Sequence, residues 1–72
     1  MIKFDVFGDL MLIDRQQGQW LLFKSSGTGL RVRIYDVVIP KHLNESELAQ
    51  YLDDIFHERA SAQYPQVIKL NN

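Results

Sequence analysis

The stretch from Leu43 to Arg59, LNESELAQYLDDIFHER, decides the fold. Asn44 is a favourable N-cap residue, and Glu47 follows three positions later, which predicts a capping box. Leu43 and Leu48 hold the two positions of a hydrophobic staple. The apolar residues that recur at helical spacing are Leu48, Tyr51, Leu52, Ile55 and Phe56. They form one stripe, so the stretch predicts an amphipathic helix that must pack against a partner.

Four short strands are predicted ahead of this helix. They comprise residues 2–7, 10–13, 20–24 and 30–35, in which apolar side chains alternate or cluster as in half-buried strands. Gly8 and Asp9 predict a tight turn between the first two strands. Residues 14–19 predict a polar hairpin loop, and residues 25–29 predict a glycine-rich loop.

The segments that flank the helix carry proline signals. Residues 37–39 are apolar and stop at Pro40, which has no backbone donor for a sheet. The helix must end by Tyr64, because the residue before a proline disfavours helical backbone. Residues 67–70 then form either a short edge strand or a loosely packed tail.

The order of these elements predicts an α+β fold. Consecutive short strands joined by tight turns form an antiparallel β-meander, here of about four strands. One face of such a sheet and the stripe of the C-terminal helix each need cover, and they cover each other. A chain of 72 residues has the size of one domain, so we expect a single domain over residues 1–72.

Composition excludes several classes of protein. The formal net charge is −1, which gives no overall attraction to nucleic acid or to an anionic membrane. Cysteine is absent and there are only two histidines, so neither disulfides nor a structural zinc site is expected. No signal peptide and no apolar run long enough to span a bilayer is visible. We therefore expect a cytoplasmic protein without a cofactor and without a membrane partner.

Three segments together resemble a family of short bacterial proteins of unknown function. They are KFDVFG over residues 3–8, VIP over residues 38–40, and ELAQYLDDIFHE over residues 47–58. The resemblance covers most of the chain and is weakest over residues 25–29. Some small proteins of this kind are carried in integron gene cassettes, so the resemblance implies that such an origin is conceivable. It implies a shared fold and no activity, substrate or cofactor.

The helix carries the densest cluster of ionisable side chains. Asp53 and Asp54 lie four and three residues before His57, so either carboxylate can meet the imidazole. Such a pair can bind a divalent metal or transfer a proton. A solvated helix face has the same composition, and we prefer that interpretation. We therefore predict no catalytic residue and no metal ligand, and we do not expect an enzyme.

A basic and aromatic strand face is the second candidate site. Arg31, Arg33 and Tyr35 alternate along one predicted strand, and Lys3 and Lys24 lie on strands that can be its neighbours. Some modules hold single-stranded nucleic acid on such a face through phosphate contacts and base stacking. The slightly negative net charge argues against this function, so we give it second place.

The sheet carries more apolar side chains than one helix can cover. Adjacent strand residues point to opposite faces, so apolar residues must also lie on the uncovered face. The residues predicted as interface anchors are Trp20, Phe7, Phe23 and Met11. A core this small also leaves little stability, which a partner subunit can supply. We expect a non-enzymatic interaction or assembly module that forms a homo-oligomer through its sheet, with an unidentified protein partner as a further option.

Overall fold

The computed structural model describes residues 1–26 and 28–70, so Gly27 of the predicted glycine-rich loop lies outside the described residues. An antiparallel sheet packs against one C-terminal helix, which confirms the predicted α+β class. The strands are β1 (Ile2–Val6), β2 (Asp9–Gln16), β3 (Gln19–Ser25), β4 (Arg31–Arg33) and β5 (Ile68–Leu70), and the helix is α1 (Leu48–Phe56).

The helix begins and ends in tighter turns. Residues Glu45–Glu47 and His57–Arg59 form 3₁₀ turns at its two ends, so the helical backbone covers nearly all of the predicted stretch. The carboxylate of Glu47 accepts a hydrogen bond of 3.1 Å from the backbone N–H of Asn44, as the capping signal predicts. Leu48 and Leu52 are fully buried, which confirms the direction of the apolar stripe.

The sheet has the strand order β4-β3-β2-β1-β5, and every neighbouring pair is antiparallel. The first four strands form the predicted meander. The fifth strand settles the alternative left open for residues 67–70, because Ile68–Leu70 pairs with β1. Both edges of the sheet are strands of three residues, and short edges limit pairing with other chains.

The hairpin turns lie at other residues than predicted. Phe7 and Gly8 form the first turn, with φ angles of 50° and 96°, and Gln17 and Gly18 form the second, with 51° and 76°. Two central residues with positive φ are typical of the mirror-image turns that join tightly twisted hairpins. The predicted loop over residues 14–19 was therefore too long. Asp14 pairs with Leu21 and continues β2, with its polar side chain on the face of the sheet away from the helix.

The fourth strand is shorter than predicted. The backbone N–H of Ile34 donates a last hydrogen bond of 2.9 Å to the carbonyl oxygen of Leu22, and the chain then leaves the sheet. It runs towards the helix, where Ile39 is buried in the core. The hydroxyl of Tyr51 donates to the carbonyl oxygen of Val38 at 3.0 Å and ties this crossing segment to α1.

The hydrophobic core lies between the helix and one face of the sheet, which we call the core face. The register places Phe4 opposite Met11 and Ile13 opposite Leu22, so side chains from β1, β2 and β3 meet there. The fully buried side chains in this core are Phe4, Val6, Met11, Ile13, Leu22, Leu48 and Leu52. Each contributes roughly 1.5–3 kcal/mol by leaving water, and this burial holds the two layers together.

Candidate interaction surface

The four predicted interface anchors do not lie on one surface of the protein. Met11 and Phe7 are 1% and 7% exposed and belong to the core, so a second molecule cannot contact them without opening it. Trp20 lies on the core face, where its indole Nε1 donates a 3.0 Å hydrogen bond to the carbonyl oxygen of Leu43. Of the four, Phe23 alone lies on the opposite face. Strand alternation could not assign them, because it does not say which face the helix covers.

The face away from the helix, here the outer face, is formed by alternate residues of all five strands. Its apolar members are Leu10, Leu12, Leu21, Phe23, Ile68 and Leu70, and its charged members are Lys3, Asp5, Asp14, Arg31 and Arg33. The described α-helix packs on the other face of the sheet, so no described helix covers this one. Leu10 and Ile68 are 39% and 48% exposed. The outer face is thus a mixed surface with an apolar centre.

Leu12 lies at the middle of the outer face. Its cross-strand neighbours are Lys3 on β1 and Phe23 on β3, and it is only 7% exposed. Directly opposed side chains in a sheet pack against each other, so these neighbours shield it from water. The side chains at the centre of the outer face therefore already pack against one another. The more exposed apolar side chains of this face are Leu10 and Ile68.

The predicted basic and aromatic cluster is present in a modified form. Arg31 and Arg33 share the outer face, and each guanidinium lies 6.0 Å from the ring centroid of Phe23. Tyr35 lies beyond the end of β4 and is 76% exposed, with the guanidinium of Arg33 at 4.9 Å from its ring centroid. Lys24 departs from the prediction, because its register opposite Val32 and Met11 places it on the side of the sheet that carries the helix.

The carboxylate of Asp14 on the outer face is influenced by this basic cluster. The pKa of Asp14 lies below its ordinary value of 3.8, chiefly because Gln16 donates a 2.9 Å hydrogen bond to its carboxylate. The backbone N–H of Arg15 and the positive charge of Arg31 lower this pKa further. The outer face therefore offers both signs of charge within one surface.

The ionisable cluster on the helix has structural partners. One carboxylate oxygen of Asp53 lies 3.3 Å from Nδ1 of His57, and the other accepts a 3.2 Å hydrogen bond from the backbone N–H of Val67. Asp54 accepts a hydrogen bond of 2.9 Å from the side chain of Gln50. No group of three or more His, Asp or Glu able to hold a metal occurs within residues 1–26 and 28–70. Asp53 thus ties the segment before β5 to the helix.

A groove at the edge of the sheet was not predicted from the sequence. Its lining residues are Gln19, Trp20, Arg33, Tyr35, Val37, Val38, Ile39, Pro40 and Lys41, and its volume is about 320 Å³. We call it the edge groove. It combines β3 with the crossing segment that follows β4. Sequence patterns of single strands cannot reveal it, because the two segments meet only after folding.

Comparison with models of known protein families assigns the chain to a family. Residues 1–71 match the family described as domain of unknown function DUF7661. The chain belongs to this family. The match agrees with the predicted resemblance to proteins of unknown function and assigns no activity. Searches of curated proteins and of solved structures found no significant match. Within the described part of this DUF7661 chain, no helix has the length and apolar character needed to cross a membrane.

Proposed function

We propose that this DUF7661 protein is a non-enzymatic assembly module that forms a homodimer through the outer face of its sheet. The observation that carries the proposal is the apolar strip that Leu10, Leu12, Leu21 and Phe23 form on β2 and β3, with no described helix above it. A sheet with a second apolar face gains free energy when another sheet covers it, because the apolar area then leaves water.

A homodimer of this chain must bury a substantial share of its surface. A stable interface buries about 800 Å² on each partner. The accessible surface of this chain is 4993 Å², so such an interface occupies about one sixth of it. Charged residues border the apolar centre, as at other interfaces where polar groups form the rim.

The strand register of the outer face allows a second copy to pack on it. Asp5 pairs with Leu10 in register, and Ser25 pairs with Arg31, so Asp5 and Arg31 lie on the two sides of the outer face. In one such dimer, the outer faces of two copies meet, and a two-fold axis runs parallel to the strands between β2 and β3. This arrangement places β4 of each copy over β1 of the other. Arg31 then meets Asp5 of the second copy and Arg33 meets Lys3, so these charge contacts offset each other. The packing of β2 over β3 supplies the attraction.

Sedimentation over a range of concentrations tests the homodimer. We expect the mass to rise from the monomer value of 8.4 kDa towards twice that value as the concentration increases. Leu10→Asp should weaken association by at least about tenfold, because it places a charge in the buried area. Val32→Asp is the matched control, since Val32 is 60% exposed on the other face. A monomer at all concentrations, or equal effects of both variants, contradicts the proposal.

Binding of single-stranded nucleic acid is the second candidate. The observation that favours it is the exposed ring of Tyr35 beside Arg33, with Arg31 on the same face. Asp5 and Asp14 share this face and repel phosphate, so we place this function behind the homodimer. Anisotropy of a labelled oligouridylate at low salt tests it. Binding that increases as salt falls and is lost in Arg31→Gln/Arg33→Gln would support it, whereas no binding would exclude it.

An enzymatic role has less support than either interaction role. Both carboxylate oxygens of Asp53 already have hydrogen-bonding partners in His57 and Val67. A group that holds structure in this way is poorly placed to bind a metal or to accept a substrate proton. The cytoplasmic location, the bacterial origin and the integron-cassette association stay predictions, and the homodimer does not depend on them.

A further inference from the structure

The edge groove has walls from two different parts of the chain. β4 ends at Arg33, opposite Phe23, while β3 continues past that point from Leu22 back to Gln19. The crossing segment after Arg33 then returns to the helix through Pro40, so a cleft stays open beside Trp20. Its volume of about 320 Å³ lies at the lower end of the range for small-molecule sites.

The charged side chains that line the edge groove are both cations. They are Arg33 and Lys41, in a protein whose formal net charge is −1. Neither forms an ion pair with a carboxylate of the described chain. Nε of Arg33 is buried and has no hydrogen-bond acceptor among the described residues. That atom is sealed from solvent, so an anion in the groove would have to bind through the terminal nitrogens of this guanidinium.

The remaining walls of the groove are apolar or aromatic. Val37, Val38 and Pro40 line it beside Trp20 and Tyr35, and Val38 is 80% exposed. The guanidinium of Arg15 lies 4.3 Å from the ring centroid of Trp20 and adds positive potential nearby. The groove therefore combines an anion-binding side with a surface for an apolar body.

We propose that the edge groove binds a small organic acid, with the carboxylate on Arg33 and Lys41 and the apolar body against Val38 and Pro40. The guanidinium fork of Arg33 matches the two oxygens of a carboxylate, and Lys41 adds a point charge. A free acid and the carboxyl terminus of a peptide share this chemistry. This inference goes beyond the homodimer, because the groove needs no second copy. Arg33 belongs to both the outer face and the groove, whereas Lys41 lines only the groove, so Lys41→Gln tests the groove without changing the outer face.

Fluorescence of Trp20 gives a direct readout, because it is the only tryptophan of the chain and it lines the groove. Cyclohexanecarboxylate serves as the free acid, with cyclohexanemethanol as its neutral counterpart. N-acetyl-leucine and N-acetyl-leucinamide form the matching pair for a peptide terminus. We expect saturable shifts for the acids, with a dissociation constant on the order of 1 mM for so small a ligand. The neutral compounds should bind at least about tenfold more weakly.

Variants separate the groove from a general effect of charge. Arg33→Gln and Lys41→Gln should each weaken binding of the acids severalfold, and Arg33→Lys should not restore it because lysine lacks the fork. Lys24→Gln is the control, since Lys24 is an exposed cation outside the groove. Tighter binding of cyclohexanecarboxylate would identify a free organic acid as the ligand, and tighter binding of N-acetyl-leucine would identify the carboxyl terminus of a peptide. No saturable shift at 10 mM (about ten times the expected constant), equal binding of acids and neutral compounds, or equal losses in Lys24→Gln would overturn the proposal.

Discussion

The indole Nε1 of Trp20 donates a hydrogen bond of 3.0 Å to the carbonyl oxygen of Leu43. This contact joins β3 to the residue that precedes the helical segment, so it fixes where the helix begins above the sheet. Leu43 is also partly buried against the core. The bond therefore links the two layers of the fold at the N-terminal end of the helical segment.

Trp20→Phe should destabilise the protein by about 1–2 kcal/mol. The variant removes the donor and part of the ring, and it leaves a partly buried carbonyl oxygen without its partner. Urea unfolding monitored by far-UV circular dichroism measures the loss without needing the tryptophan signal. Tyr51→Phe is a useful comparison, because it deletes a hydroxyl donor at an exposed site where water can replace it. Unchanged stability of Trp20→Phe would show that the bond contributes nothing.

The two hairpin glycines provide a matched pair. Gly8 and Gly18 occupy the second position of equivalent turns, with φ angles of 96° and 76°. A Cβ at Gly8 would lie 3.2–3.3 Å from ring atoms of Tyr64, whereas a Cβ at Gly18 would meet no atom within 4 Å. Alanine at positive φ costs roughly 1–2 kcal/mol at either site. We expect Gly8→Ala to cost more, because the Tyr64 ring must also move.

A double-variant cycle isolates this contact. In a Tyr64→Ala background the costs of Gly8→Ala and Gly18→Ala should become similar, as measured by urea unfolding. The contact with Tyr64 would be refuted if Gly18→Ala were as costly as Gly8→Ala in the otherwise unchanged protein.

Phe7 and Gln17 show how burial and backbone strain compete. Both have φ near 50°, a region that non-glycine residues rarely adopt. Phe7 is 7% exposed in the core, and truncating such a ring costs roughly 3–5 kcal/mol, more than the roughly 1–2 kcal/mol of strain that glycine relieves. Phe7→Gly should therefore destabilise by about 2–3 kcal/mol. Gln17 is exposed, so Gln17→Gly should be neutral or stabilise by up to about 1 kcal/mol in thermal unfolding.

Equal destabilisation by Phe7→Gly and Gln17→Gly would show that backbone strain, and not burial in the core, determines the change in stability. The carboxylate of Asp5 accepts a 2.7 Å hydrogen bond from the backbone N–H of Gly8 and supports the first turn only. This extra hydrogen bond in the first turn does not affect the comparison of Phe7→Gly with Gln17→Gly, because both variants leave Asp5 and Gly8 in place.

Local signals explain what the sequence could predict. Asn44 and Glu47 define the start of the helix within four residues, and Leu48 and Leu52 show its buried side at one-turn spacing. The turn at Phe7 was misplaced by one residue, because phenylalanine is not a residue that indicates positive φ. Its position depends on burial of its ring in a core that forms from distant segments. Such a preference cannot be read from neighbouring residues.

Non-local geometry explains why the candidate surfaces were only partly predicted. Alternation correctly placed Trp20 and Phe23 on opposite faces, but the covered face depends on the position of the helix. The edge groove needs β3, Arg33 and the segment around Val38 together, and these are brought together by the early end of β4. The basic cluster was easier to predict, since Arg31 and Arg33 are two residues apart on one strand.

The titration of Asp14 gives a test of the outer face. Its pKa is lowered in the folded protein, first by the hydrogen bond from Gln16 and then by Arg15 N–H and the charge of Arg31. A lowered folded pKa means that the ionised group stabilises the fold above its ordinary value of 3.8. This contribution is lost as the pH falls through the lower folded pKa. Asp14→Asn should therefore reduce the dependence of stability on pH in this acidic range.

An NMR titration of the Asp14 carboxyl carbon measures the shift directly. Gln16→Leu should raise the pKa of Asp14 towards 3.8, because it removes the largest stabilising contact of the carboxylate. Gln66→Leu is the control, since Gln66 is an exposed residue in the segment before β5. Arg31→Gln should raise the same pKa by a smaller amount. An Asp14 pKa that is insensitive to Gln16→Leu would show that the neighbouring positive charges, and not this hydrogen bond, hold the carboxylate in its ionised form.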